Sequence, residues 1–245
     1  MSSRETIPVL EIFGPTIQGE GLVIGRKTMF VRTAGCDYSC HWCDSAFTWD
    51  GSAKNEIRHM HAEEILDELG KIGGSGWSHV TLSGGNPALL SSLALLIDNL
   101  HERGFSIALE TQGSRWQEWL MEIDDLTLSP KPPSSGMKTD WIVLDKIIAR
   151  RKEGDRNEGL SLKVVVMDEI DLTYAVQVHQ RYPDVPFIIQ AGNDDPTSTD
   201  PDKLAVKLLK QYACLVDRVM RSEELRNVRV LPQLHALLWG NRRGV

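Results

Sequence analysis

The feature that most constrains the fold is an alternation. Short apolar, β-branched runs are separated by longer stretches in which apolar residues recur with helical spacing. Strands are predicted over residues 28–33, 79–83, 106–110, 126–129, 161–166 and 186–190, with a further N-terminal strand over 8–13. Helices are predicted over 62–71, 89–103, 115–121, 141–151, 168–181 and 202–215. A strand–helix–strand rhythm of this kind builds a mostly parallel sheet with right-handed crossovers. Six such units fall short of the eight that close a barrel, so the expected fold class is α/β, a partial, open (β/α)6 barrel. With no repeat, long linker or low-complexity tract, residues 1–245 are expected to form a single domain. The tail is expected to begin as a strand over 228–231, to run through Pro232 to Trp239, and to end polar and basic at Asn241, Arg242 and Arg243.

Composition sets the chemical setting. A chain of 245 residues can bury a substantial core. The net charge of −7 argues against a general nucleic-acid surface. No apolar run approaches the roughly 18 residues of a membrane helix, and the first six residues lack the design of a secretory leader. The chain is therefore expected in the cytoplasm, away from membranes and nucleic acid. There thiols stay reduced, and clustered cysteines act as metal ligands before they act as disulfides.

Three of the four cysteines are clustered: Cys36, Cys40 and Cys43 form C-x3-C-x2-C, with Trp42 just before the last. Three thiolates can hold three corners of a 4Fe-4S cluster and leave one iron without a protein ligand. Zinc is the rival. A structural zinc takes four ligands, usually in two pairs; His41 could offer a nitrogen, but no second pair follows. The spacing favours iron–sulfur chemistry, leaves zinc open and ranks a disulfide behind both. Cys214 lies apart in a predicted helix and is expected as a small buried hydrophobe.

The polar residues converge on one edge of the predicted sheet. Cys36 follows the strand ending at Thr33, Gly84 follows Ser83, Thr111 follows Glu110, Lys131 follows Ser129, and Ala191 follows Gln190. In parallel α/β folds, ligands bind at these C-terminal strand ends. Lys163, mid-strand, would face the barrel interior and need a partner.

The cysteine spacing resembles the signature of the radical S-adenosylmethionine superfamily. The Ser83-Gly84-Gly85-Asn86-Pro87 segment is similar to its Gly-Gly-Glu-Pro motif, with Asn86 where glutamate is usual. The resemblance narrows further. Glu11 to Gly21, Phe30 to Cys36, Trp42 to Ser45, Glu110 to Gly113 and Ser129 to Lys131 are similar to segments of the 7-carboxy-7-deazaguanine synthase family. Leu162 to Val165 fit more loosely. The match runs along essentially the whole chain and is nearest the Bacillus-like branch.

That resemblance implies a lyase of queuosine biosynthesis, a tRNA-modification pathway. Its reaction converts 6-carboxy-5,6,7,8-tetrahydropterin into 7-carboxy-7-deazaguanine with release of ammonia, using one 4Fe-4S cluster, S-adenosylmethionine and Mg2+. The key step is hydrogen-atom abstraction, so no side chain is expected as a general acid or base. By the same carry-over, Cys36, Cys40 and Cys43 would hold the cluster and Ser45 the Mg2+. Ile17, Gln18, Gly19, Arg32 and Ser83 would meet the pterin, with Arg32 on its carboxylate. Trp42, Gly85, Glu110, Ser129, Pro130, Lys131 and Gln190 would meet S-adenosylmethionine. Taken as a residue in its own right, Ser45 is a turn residue and Arg32 a strand-end ion pair. Asp44, His79 and His235 are expected as a cap, a core residue and a surface residue. A homodimer and an electron donor such as flavodoxin or ferredoxin are implied as partners. No role is expected for Arg242 to Val245. Two other readings are a radical enzyme that activates a glycyl-radical partner and a non-enzymatic, metal-stabilised binding protein. The Pro15-to-Gly21 segment speaks against the first.

Overall fold

The computed structural model describes residues 5–154 and 156–245; the first four residues, part of the segment read above for a leader, lie outside it. Among the described residues nine strands form one sheet: β1 (Ile7–Ile17), β2 (Lys27–Thr33), β3 (Arg58–Met60), β4 (His79–Gly84), β5 (Ser106–Thr111), β6 (Asp125–Leu128), β7 (Leu160–Val166), β8 (Phe187–Ala191) and β9 (Val228–Leu231). Their order is β3-β1-β2-β4-β5-β6-β7-β8-β9. β1 pairs antiparallel with β2 and β3. From β2 through β9 every pairing is parallel. The open, mostly parallel sheet is the one the alternation predicts. Two details are new. β3 is a three-residue edge strand too short for a periodic signal. β1 runs to Ile17, past a register shift between Phe13 and Thr16.

The central strands β4 to β8 are largely buried on both faces, but the faces differ in chemistry. Met29, Val31, Val80, Leu82, Ile107, Leu109, Leu126, Leu128, Leu162, Val164 and Ile189 belong to one hydrophobic core. Helices α1 (Ala62–Gly73), α2 (Leu93–Glu102), α3 (Trp141–Glu153), α4 (Glu169–Arg181) and α5 (Pro201–Arg221) cover that face. Side chains alternate along a strand, so the residues between them point the other way. Phe30, Arg32, Thr81, Ser83, Glu110, Lys163 and Gln190 line a cavity inside the partial barrel. Arg32 stands opposite Ser83 across β2 and β4, and Val165 opposite Gln190 across β7 and β8. A helix-packed sheet with one polar face is reserving that face for a site.

The helices begin where their caps dictate. Asp140, Asp168 and Asp200 each accept a backbone N–H in the first turn of α3, α4 and α5. α5 outruns its expected end at 215 because the buried stripe Leu204, Leu208, Leu215 and Val219 continues for another turn. Cys214 precedes Leu215 on that helix, about 100° round from it, and is exposed rather than buried. The helix expected over 115–121 is a 3-10 turn, Glu118–Glu122. Side-chain bonds hold it instead: Gln117 Nε2 donates to Ala88 O (2.9 Å) and Trp119 Nε1 to Leu90 O (3.1 Å). A last helix, α6 (Leu234–Trp239), closes the tail. Among the described residues no helix is long and apolar enough to cross a membrane.

Candidate active site

The loop after β2 carries the three cysteines to the C-terminal edge of the sheet. It is tied to the loop after β6 at three points: His41 N donates to Ser135 O (3.1 Å), Tyr38 OH to Lys138 O (2.6 Å) and Ser39 N to Met137 Sδ (3.3 Å). On its other side it packs against the turn after β4. A Cβ on Gly85 would lie 2.2 Å from Gly35 O, and one on Gly84 would lie 2.2 Å from Thr33 O. Both glycines are thus required for backbone-to-backbone approach, Gly84 also for its φ of +143°.

Cys36, Cys40 and Cys43 share the wall of a cavity of about 250 Å³ with the polar residues of the inner sheet face. Burial pushes all three thiols up, Cys40 to about 11, and the Lys131 ammonium opposes this at each. The three sulfurs do not all lie within 4.8 Å of one another. Two sulfurs each about 2.3 Å from one zinc lie at most about 4.6 Å apart, so the three sulfurs as placed do not close around a single zinc. His41, the nitrogen that zinc could have used, packs its ring against Gly136 instead. Backbone and side-chain N–H groups face the sulfurs: Tyr38 N to Cys36 Sγ (3.4 Å), Gln112 Nε2 to Cys36 Sγ (3.7 Å) and Trp49 Nε1 to Cys43 Sγ (3.5 Å). Donors of this kind stabilise thiolate sulfur bound to iron.

The expected cofactor residues divide. Trp42, Gly85, Glu110, Lys131 and Gln190 line the cavity. Trp42 is oriented by a relay in which Nε1 donates to Ser134 Oγ (2.9 Å) and Ser134 Oγ donates to Asp171 Oδ2 (2.5 Å). Gln190 is wholly buried, and both polar atoms of its amide are without a protein partner. Such a group is costly unless a ligand satisfies it. Ser129 and Pro130 are buried and do not themselves line the cavity, and Ser129 Oγ accepts from the wall residue Lys131 through Nζ (3.1 Å). Asn86 is not in the wall either. Its amide is spent on four bonds, donating to Asp37 Oδ1 (2.8 Å) and Ser114 Oγ (3.1 Å) and accepting from Thr111 Oγ1 (2.7 Å) and Ala88 N (3.2 Å).

The expected substrate and metal residues, Ile17, Gln18, Gly19, Arg32, Ser83 and Ser45, all line the same cavity. Arg32 is an ion pair, as its strand-end position suggested, with Nε 2.8 Å from Glu11 Oε2. Its other arm donates to Ser45 Oγ (3.1 Å), and its guanidinium lies between the rings of Phe13 and Phe47. The Ser83 hydroxyl is buried without a protein partner. Ser45 precedes a 3-10 turn, Ala46–Thr48, without capping it through its side chain, and its hydroxyl donates to Asp44 Oδ1 (3.0 Å).

Lys163 faces the interior and has partners, as its mid-strand position required, and several other wall residues were not expected. Lys163, 1% exposed, is gripped by Glu20 and by Glu110 (2.7 Å). Burial alone would raise the Glu20 carboxyl, but the Lys163 ammonium outweighs it and holds Glu20 well below the carboxylate range. Burial likewise lowers Lys163, and the two carboxylates overcome it and raise it. Gln233 Nε2 bridges Glu20 Oε1 (2.8 Å) and Asp44 Oδ2 (3.2 Å). Asp44 and His235, expected as a cap and a surface residue, both line the cavity. Ligand atoms of Glu20, Asp44 and His235 lie within 4.8 Å of one another. Arg242 to Val245, for which no role was expected, also form part of the wall. Arg243 fixes them there through Glu11 and Glu56 (both 2.9 Å), with its guanidinium 3.9 Å over the Phe47 ring.

Comparison with known proteins agrees with this geometry. Residues 30–132 match the family model of the radical SAM superfamily. The 7-carboxy-7-deazaguanine synthase of Bacillus cereus is 61% identical over 98% of this chain and 99% of its own length. That of Bacillus subtilis is 62% identical over 98% of each. Among solved structures, QueE from Escherichia coli superposes with a TM-score of 0.66, covering 94% of this chain and 95% of that one, at 22% identity.

Proposed function

The chain belongs to the 7-carboxy-7-deazaguanine synthase family of the radical SAM superfamily, and we propose that it converts 6-carboxy-5,6,7,8-tetrahydropterin into 7-carboxy-7-deazaguanine with release of ammonia. The observation that carries this reading is one cavity shared by two sets of residues. Cys36, Cys40 and Cys43 stand with Arg32, Gln18, Ser83 and Ser45 around it. When bound, the cluster and S-adenosylmethionine supply the radical that removes hydrogen from the substrate. The protein's part is to bind, orient and exclude water.

Arg32 is assigned to the substrate carboxylate, for which a planar guanidinium is suited. It is pre-positioned by Glu11 and by stacking against Phe47. The loop Ile17–Gln18–Gly19 and the unpartnered Ser83 hydroxyl present hydrogen-bonding groups to the heterocycle. Trp42, Gly85, Glu110, Lys131 and Gln190 are assigned to S-adenosylmethionine, with the Gln190 amide satisfied by it. Mg2+ is placed at Ser45. Support comes from Asp44, bonded to that hydroxyl, and from Glu20, which has a carboxylate oxygen within 4.8 Å of one of Asp44; both are the hard oxygen donors Mg2+ prefers. A flavodoxin- or ferredoxin-type donor, a homodimer and a cytoplasmic setting complete the reading.

The test is an anaerobic incubation of reconstituted enzyme with reductant, S-adenosylmethionine, Mg2+ and 6-carboxytetrahydropterin. The expected product, by mass spectrometry, is the substrate less one ammonia. An enzyme that cleaves S-adenosylmethionine but leaves this pterin untouched would refute the substrate assignment.

A further inference from the structure

The cysteine loop holds one carboxylate whose surroundings the reaction does not explain. Asp37 follows Cys36, and its side chain is 17% exposed. Every acceptor position on it is used. Oδ1 accepts from Asn86 Nδ2 (2.8 Å) and Gln112 Nε2 (2.7 Å), and Oδ2 accepts from Ser114 Oγ (2.9 Å) and Arg115 Nε (3.3 Å). Four donors from the ends of β4 and β5 converge on it. A fully paired carboxylate of this kind is a fixed point. It joins the cysteine loop to the sheet independently of any metal.

Gln112 is the member with a second contact. It is 5% exposed, and one amide nitrogen serves both Asp37 Oδ1 and Cys36 Sγ, at 2.7 and 3.7 Å. The carboxylate decides which way the amide faces, because only nitrogen can donate to it. With one N–H held by Asp37, the other is directed at the cysteine sulfur. Asn86 donates to the same Asp37 oxygen as Gln112, which gives a use to the amide at position 86.

We propose that Asp37, Asn86 and Gln112 form a positioning clamp that holds an amide N–H against the Cys36 thiolate and thereby raises the reduction potential of the cluster. The physical reason is charge. Reduction adds an electron shared with the thiolate sulfurs, and an N–H donor in a dry site favours the more negative state. Gln112 tunes the cluster directly; Asp37 and Asn86 act through it. The proposal rests on the cluster-bearing reading of the three cysteines.

The experiment uses the full chain, reconstituted anaerobically, with iron and sulfide content measured first. The reduced fraction is then followed by electron paramagnetic resonance at a series of fixed potentials. Gln112→Met keeps the length and removes the donor without changing charge. It should load a full cluster and show a severalfold to tenfold smaller reduced fraction at the wild-type midpoint. A tenfold fall in the reduced-to-oxidised ratio corresponds to about 59 mV for one electron. Gln112→Asn, which withdraws the amide by one methylene, should shift in the same direction. Asp37→Asn separates positioning from charge. Removing a nearby negative charge raises the potential, whereas weakening the hold on Gln112 from a charged to a neutral acceptor lowers it. In the Gln112→Met background only the rise is left, so the Asp37→Asn shift must be more positive there than in wild type. Fully loaded Gln112 variants with wild-type potential overturn the proposal, as does an Asp37→Asn shift equal in both backgrounds. A wild-type protein that binds no iron overturns the cluster reading itself, and the clamp's role with it.

Discussion

Lys163 is the sharpest test of the electrostatics inside the barrel. It is 1% exposed and stands between Glu20 and Glu110, whose side chains are 16% and 28% exposed. Lys163→Met preserves most of the volume, so the packing change is small, under about 1.5 kcal/mol. What it removes is the cation. Taking one partner from a buried ion pair costs about 3–5 kcal/mol, because the other charge stays buried and uncompensated. Both carboxylates reach the cavity and keep some water, so the lower end, about 3 kcal/mol, is expected. The pH dependence gives a second readout. In the native chain Glu20 is held below its ordinary value of 4.5, its burial being outweighed by Lys163. Its stabilisation is therefore complete above that value and is lost only as pH falls through the lowered one. In Lys163→Met burial acts without that opposition and pushes Glu20 upward, so protonation relieves the variant at a higher pH. The stability gap should narrow as pH falls from neutrality toward about 4.5. Urea unfolding followed by tryptophan fluorescence measures it. Lys163→Met/Glu20→Gln should regain part of the loss. A gap below about 1 kcal/mol that is flat with pH would refute the argument.

Cys40→Ala should abolish reductive cleavage of S-adenosylmethionine and lower the iron bound per chain; normal 5′-deoxyadenosine yield would remove Cys40 from the ligand set. Ser45→Ala should shift the Mg2+ activation curve to higher concentration with cluster content unchanged, and loss of the cluster would count against a metal-binding role. His79 is buried at the base of β4, where burial lowers its pKa from an ordinary 6.5 to about 4. It folds neutral, so the unfolded chain binds more protons between those values, and stability falls as pH drops through that window. The full difference is about 3 kcal/mol. His79→Gln should flatten that slope in urea titrations, and an unchanged slope would show that His79 does not titrate on unfolding.

How legible the site was in the sequence depends on the distance over which each part is encoded. The cysteines are a local signal, three in eight positions. Arg32 and Ser83 came from the family resemblance, and Glu110 and Gln190 from that resemblance together with their places at strand ends, which in a parallel sheet share one edge. What the sequence did not reveal is pairings between residues far apart along the chain. Gln233 reaches Glu20 across 213 positions, and Lys163 reaches Glu20 across 143. Neither spacing has a periodicity to detect. Glu20 sits in a turn where an exposed glutamate would read identically, and Asp44 is as ordinary a turn residue until Gln233 is placed beside it.

The chain's one departure from the superfamily motif becomes intelligible on the same ground. A glutamate at position 86 would lie buried beside the Asp37 carboxylate, two like charges sharing one site without enough donors for both. An asparagine there instead donates to Asp37 and to Ser114 and accepts from Thr111 and Ala88. The negative charge of this corner therefore stands on the cysteine loop at Asp37, and position 86 must be neutral to hold it. On that logic Asn86→Glu fails unless Asp37 is neutralised with it. Asn86→Glu/Asp37→Asn should bind more iron per chain than Asn86→Glu alone. Equal cluster loading by the two would show that the two positions are not coupled by charge.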